Sequence, residues 1–233
     1  MIMAVLSKLT LAVVLACALW GCGRSETSEN QPLRRNDATP AVTVPPAVAD
    51  TRPVIDAFGD SLSAGLGLDP GRSYPDDLQH LLDTQGFHYR VVNSGVSGDT
   101  TTDGLERLPA VLALKPEIII LEFGANDGLR GQPVESAQQN LARMIEALEK
   151  AGAKVVLAGM TLPRNYGPEY IHSFEQMYID LGDRYRLVRI PFLLDGVGGV
   201  ASLTQPDGLH PTAKGAEIVA NTVLTYLKPL LRR

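Results

Sequence analysis

The chain has 233 residues, with 21 Lys and Arg against 26 Asp and Glu for a net charge of −5; it is 45% hydrophobic and 20% charged. These values suit one globular domain with appendages and a sizeable core, and the lack of any basic run excludes a nucleic-acid footprint. Both cysteines, Cys17 and Cys22, lie in the first tenth of the chain, which excludes a cysteine nucleophile or a Cys-based zinc site in the remainder.

Residues 1–21 read as an export signal. Lys8 supplies a short basic region and Leu9 to Leu19 an apolar one, shorter than the roughly 20 residues of a membrane span. Two processing sites compete. Ala16-Cys17-Ala18 fits a small-x-small cleavage rule, whereas Leu19-Trp20-Gly21-Cys22 resembles a bacterial lipobox, with bulky Trp20 where that motif usually has a small residue. The lipobox reading makes Cys22 a lipid anchor and places the protein on the periplasmic face of a membrane; the alternative is a free periplasmic or secreted protein. Residues 22–52 are rich in Ser, Thr, Asn, Pro and Ala and almost lack large apolar side chains, which predicts a disordered tether stiffened by Pro40, Pro45 and Pro46. Its coil dimension is roughly 30 Å.

Residues 53–233 alternate strand-like and helix-like patterns. Strands are predicted at Val54 to Phe58, His88 to Asn93, Glu117 to Glu122, Lys154 to Met160 and Tyr185 to Pro191. Ile118-Ile119-Ile120-Leu121 and Val155-Val156-Leu157 are continuous apolar runs, as strands buried on both faces require. Helices are predicted at Pro75 to Thr84, Thr102 to Leu114, Val134 to Ala151, Glu169 to Gly182 and about Thr212 to Leu230. The alternation predicts an α/β fold: a three-layer α/β/α sandwich on a five-stranded parallel sheet. Ligands in such sheets bind beyond the carboxyl ends of the strands.

The loops at those ends carry the candidate chemistry. Gly59-Asp60-Ser61-Leu62 follows the first strand, Ser97-Gly98-Asp99-Thr100 the second and Gly124-Ala125-Asn126-Asp127 the third. Asp207-Gly208-Leu209-His210 precedes the last helix, and its spacing lets one turn of chain set a carboxylate beside an imidazole. Ser61 is the candidate nucleophile, His210 its base and Asp207 the group that fixes the imidazole tautomer. Taken alone, Gly59-Asp60-Ser61 is also an ordinary turn and N-cap. A histidine base predicts activity that rises with pH.

Together these four blocks resemble those of the SGNH (GDSL-type) hydrolases across essentially the whole domain. Glu106-Arg107-Leu108-Pro109, Asn126 to Gly131 and Leu162 to Gly167 resemble in detail the bacterial thioesterase, lysophospholipase and arylesterase subgroup. The resemblance implies a flavodoxin-like sheet, a serine esterase acting through an acyl-enzyme on Ser61, and a triad of Ser61, Asp207 and His210. It also implies an oxyanion hole made by the backbone N–H groups of Ser61 and Gly98 and the side-chain amide of Asn126. The substrate class is small acyl esters, thioesters or lipids, with Leu162, Pro163 and Tyr166 expected beside the acyl group. No cofactor, metal or nucleic acid is implied, and the catalytic domain is expected to be monomeric.

His80, His88 and His172 read as surface or packing histidines, and Asp60 and Asp127 as local braces of their loops. Gly65-x-Gly67 fails as a dinucleotide loop because Pro70 takes the third glycine position. Asp56 needs a partner in a buried strand, and no neighbour in sequence names one. Three rival readings stand beside the esterase. An α/β-hydrolase shares the Ser-Asp-His order but has a Gly-x-Ser-x-Gly elbow, where this chain has Ser63. A metal-dependent phosphoesterase would use Asp60, Asn126 and His210 as ligands. The last is a non-catalytic surface-binding lipoprotein.

Overall fold

A computed structural model of the chain describes residues 50–233. The predicted export signal, Cys22 and nearly all of the predicted tether lie outside the described residues.

The polypeptide runs β1 (Val54–Gly59), α1 (Ser61–Ala64), α2 (Tyr74–Thr84), β2 (Arg90–Asn93), α3 (Thr101–Ala113), β3 (Ile118–Glu122), α4 (Ala125–Leu129), α5 (Val134–Lys150), β4 (Lys154–Ala158), α6 (Pro168–Tyr185), β5 (Val188–Ile190) and α7 (Ala213–Leu227). The five strands form one parallel sheet in the order β2-β1-β3-β4-β5. One helical layer contains α2 packed on α7; on the other side α5 packs between α3 and α6. The α/β expectation therefore holds, including the strand count. β1 and β3 are buried at every residue, whereas the edge strands β2 and β5 are only partly covered. Covered faces require apolar side chains in succession, which is the pattern of the central strands.

Local chemistry sets the element ends. Ser73 and Asp76 form a capping box at α2, and Thr100 and Asp103 form another at α3; in both, the acidic side chain accepts from the N-cap backbone N–H. Thr212 caps α7. Four expected strands prove shorter: β2 starts at Arg90 rather than His88, β3 at Ile118 rather than Glu117, β4 ends at Ala158 rather than Met160, and β5 spans Val188–Ile190 rather than Tyr185 to Pro191. Tyr185 instead ends α6, which stops at Arg186 in the left-handed conformation. α1 and α4 are absent from the sequence prediction, since four or five residues are too few to show a helical period.

Asp56, fully buried in β1, has its partner in the loop after β2: Ser94 Oγ–H donates to its Oδ2 at 2.9 Å. Its Oδ1 has no hydrogen-bond partner among the described residues, and burial pushes the carboxyl up to about 6. A carboxyl raised in the folded state binds protons more tightly than in the unfolded chain, so its contribution to stability is present below about pH 4 and is lost as pH rises through 6. Replacing Asp56 by Asn removes that titration. The stability difference between the Asn variant and the parent should therefore shift in the variant's favour by about 2 to 3 kcal/mol between pH 4 and pH 8. Urea melts at the two pH values measure it, and an unchanged difference contradicts the assignment.

Candidate active site

Sheet order places the site. From β1 the chain crosses to β2 on one side, and β3 pairs on the other, so the β1 and β3 ends flank a switch point where crossovers diverge and a crevice opens. Ser61 begins α1 directly after β1, and Asn126 lies in the first turn of α4 after β3. Gly98 arrives from the loop after β2. Asp207 and His210 come from the segment between β5 and α7, which is pinned by a bridge between Thr204 and Pro211.

There Ser61 Oγ lies 2.9 Å from His210 Nε2, and His210 Nδ1 lies 2.6 Å from Asp207 Oδ2. With Nδ1–H directed at Asp207, Nε2 is left to accept the Ser61 hydroxyl proton. The other Asp207 oxygen accepts the backbone N–H groups of Leu209 and His210 at 2.9 and 3.1 Å. These donors, the His210 side chain foremost, hold the Asp207 carboxyl down to about 2.

The three expected oxyanion donors border one cavity with the triad serine and histidine. The Ser61 and Gly98 N–H groups donate no hydrogen bond among the described residues. Gly98 has φ +89°, and a Cβ there would meet nothing within 4 Å, so its positive φ and not crowding calls for glycine. Asn126 is different: its Nδ2 already donates to Asp60 Oδ2 at 3.0 Å and to Asp99 O at 2.9 Å. An oxyanion would have to share one of those N–H groups.

The cavity measures about 270 Å³, and its apolar lining includes Leu66, Leu129, Met160, Leu194 and Leu209 beside Leu62 and Ala125. The expected acyl-side residues are placed elsewhere. Leu162 is buried against Gly128, Pro163 is exposed, and Tyr166 donates its hydroxyl proton to Leu129 O at 2.8 Å. Leu162 and Tyr166 brace the wall from behind, because the loop after β4 packs onto α4 and not over Ser61. His80, His88 and His172 are all exposed and none borders the cavity. Asp127 is a brace, but a long-range one: it accepts the N–H and hydroxyl of Thr101 and so ties α4 to the start of α3.

Three further residues shape the site without being named as site residues by the sequence, although Arg107 lies in a segment that carries the family resemblance. Gln205 Nε2 donates to Leu66 O and Pro211 O, clamping the His210 segment to the turn after α1. Arg107 donates to Asp99 Oδ2, Ser94 O and Gly59 O, joining the loops after β1 and β2. Glu122 lies beneath Asp60. A charged residue ending a buried strand was the available signal for Glu122, the same one that marked Asp56.

A serine, an imidazole and a carboxylate in series, at the switch point of a parallel α/β sheet and facing an apolar cavity, define a serine-hydrolase type of site. Residues 57–218 match the GDSL-like Lipase/Acylhydrolase family, and the chain belongs to that family. It is 47% identical over 174 residues to Esterase TesA of Pseudomonas aeruginosa, covering 74% of this chain and 87% of that protein. It is 34% identical over 186 residues to the Thioesterase 1/protease 1/lysophospholipase L1 of Escherichia coli K12, covering 79% and 86%. A crystal structure of TesA superposes with a TM-score of 0.74 at 45% identity, covering 76% of this chain and 99% of that one.

The Asp207 carboxyl stays ionised to about pH 2, whereas burial raises that of Asp60, which lies against Ser61 and Asn126, to about 6. A plot of log kcat/KM against pH should therefore fall on its acid side with a slope above one as Asp60 takes up a proton. A unit slope over the whole acid limb contradicts a functional Asp60 charge.

Proposed function

We propose that the protein is a serine esterase that hydrolyses small acyl esters, and thioesters, through an acyl-enzyme on Ser61. The observation that carries this reading is the 2.9 Å contact between Ser61 Oγ and His210 Nε2 at the mouth of an apolar cavity. His210 takes the Ser61 proton as Oγ attacks the carbonyl carbon, then delivers it to the departing alcohol or thiol. Water repeats the cycle on the acyl-enzyme, with His210 again as base. Asp207 stabilises the imidazolium across the 2.6 Å contact. Negative charge on the carbonyl oxygen is met by the N–H groups of Ser61 and Gly98 and by the Asn126 amide.

The apolar wall suits an acyl chain, and aryl esters and lysophospholipids are further substrates of that shape. The N-terminal sequence pattern supports export to the cell envelope and lipidation at Cys22. Acyl-CoA, a cytoplasmic metabolite, would then be out of reach, and lipids or esters arriving at the envelope would be the working substrates. The chemistry needs no metal or cofactor, and the catalytic domain would act as a monomer.

A series of p-nitrophenyl esters of increasing acyl length, run beside a lysophospholipid, tests the reaction. Ser61→Ala should abolish turnover, and Asn126→Ala should lower kcat about 10²- to 10³-fold. Full activity in Ser61→Ala refutes the acyl-enzyme, and a loss below about threefold removes Asn126 from the oxyanion hole. Lipidation has its own test: Cys22→Ala should release the protein from the membrane fraction, and unchanged sedimentation with membranes overturns the anchor.

A further inference from the structure

Directly below the Ser61 turn, the last residue of β3 is a fully buried acid. Glu122 has no exposed surface; its Oε2 accepts the Asp60 backbone N–H at 3.1 Å and the Ser63 hydroxyl at 2.9 Å, and Ser63 Oγ in turn lies 3.0 Å from Tyr74 OH. No N–H or hydroxyl donor among the described residues reaches Oε1. The side chain fills the space beside Gly59 so closely that a Cβ there would overlap both Glu122 Oε2 and Ser63 Oγ. The motif glycine before Asp60 is thus required by Glu122.

We propose that Glu122 is a positioning residue for the reaction: as a neutral carboxylic acid, donor and acceptor at once, it holds Asp60 and through it both the Ser61 turn and the Asn126 amide. This rests on Ser61 being the nucleophile.

The neutral form follows from what surrounds it. The carboxyl groups of Asp60 and Glu122 hydrogen-bond each other, and two carboxylates have no proton with which to do so. Around Glu122 stand Asp60, Tyr74 from α2 and Tyr178 from α6; beyond them Asp56 faces Tyr74, and Asp127 faces Tyr178. None is a cation. The guanidinium of Arg107, from α3, is spent on Asp99, Ser94 O and Gly59 O, and His210 faces Asp60. Burial first, and the Asp60 charge second, hold the Glu122 carboxyl well above the usual range, so Glu122 is the partner that keeps the proton.

Asp60 is the consumer of that proton. Its Oδ1 accepts the Leu62 N–H at 3.0 Å and lies 3.4 Å from Ser61 Oγ, while its Oδ2 accepts the Asn126 amide at 3.0 Å. Asp60 is therefore also a rival acceptor for the Ser61 hydroxyl. Donation from Glu122 disperses the Asp60 charge and leaves the Ser61 proton to His210. Ionising Glu122 would place a second negative charge against Asp60 and disturb both contacts.

The test compares full-length Glu122→Gln and Glu122→Leu with the parent, using kcat and KM on one p-nitrophenyl ester from pH 6 to 10. Gln, neutral and able to donate and accept, should keep kcat within about threefold of the parent at pH 7; Leu should lower it by about 30-fold or more with KM within about threefold. The parent should lose kcat on the alkaline side as Glu122 ionises, and Glu122→Gln should lack that limb. A Gln variant as impaired as Leu, or a Leu variant with parental kcat, overturns the proposal. Where Leu shows no cooperative thermal melt, the Gln profile decides alone, and an alkaline limb identical to the parent's overturns it. Ser61→Ala measured in parallel separates the two readings: activity in Ser61→Ala refutes the nucleophile itself, whereas its loss alongside parental kcat in Glu122→Leu refutes only the role of Glu122.

Discussion

Parallel pairing of β1 with β2 on one side and β3 on the other is the constraint from which the site follows. It brings three strand ends, and the loops they feed, to one rim. Ser61, Gly98 and Asn126 become neighbours for that reason alone. Asp60 then converts proximity into fixed geometry, since one side chain accepts from Leu62 in α1 and from Asn126 in α4. The result is a nucleophile and an amide donor whose relative placement depends on a single buried carboxyl.

The rim is rich in buried acids and poor in buried bases. Asp56, Asp60, Glu122 and Asp127 are all shielded from water, and each is accommodated differently. Asp127 receives two donors from Thr101, Asp60 receives amides from two elements, Asp56 has one serine hydroxyl, and Glu122 keeps its proton. Burial without pairing costs stability. Concentrating that cost under the nucleophile is what a preorganised site looks like, because groups that cannot relax also cannot drift. Asp207 is the contrast: its side chain is 43% exposed and donor-rich, so it stays ionised where the imidazolium needs it.

The apolar wall is braced in the same spirit. Tyr166 and Tyr170 donate to the backbone oxygens of Leu129 and Gln132, tying the loop after β4 and the start of α6 to α4 and the turn that follows it. Leu129 faces the cavity, so its position answers to residues that never touch it. Leu162 and Tyr166, though set in a segment resembling that of other family members, thus lie behind the cavity wall and not on it.

Much of this molecule can be read in its chain. Continuous runs such as Ile118 to Leu121 determine buried parallel strands, because only a strand covered on both faces tolerates such apolarity. Asp207 and His210 are three residues apart, so one turn settles their pairing, and Ser61, Gly98 and Asn126 sit in glycine-bearing loops at strand ends. The ends of β2 and β5, and the short α1 and α4, escape such reading because edge strands carry mixed patterns and brief helices carry no period. What only the tertiary structure decided is long-range: that Ser94 is the partner of Asp56, that both Asn126 N–H groups are already engaged, that Leu162 stands behind the cavity wall, and that Glu122 lies under Ser61. Each depends on which atoms two distant segments bring within 3 Å. Local propensity and spacing hold no record of that distance, since it is set by sheet order and packing.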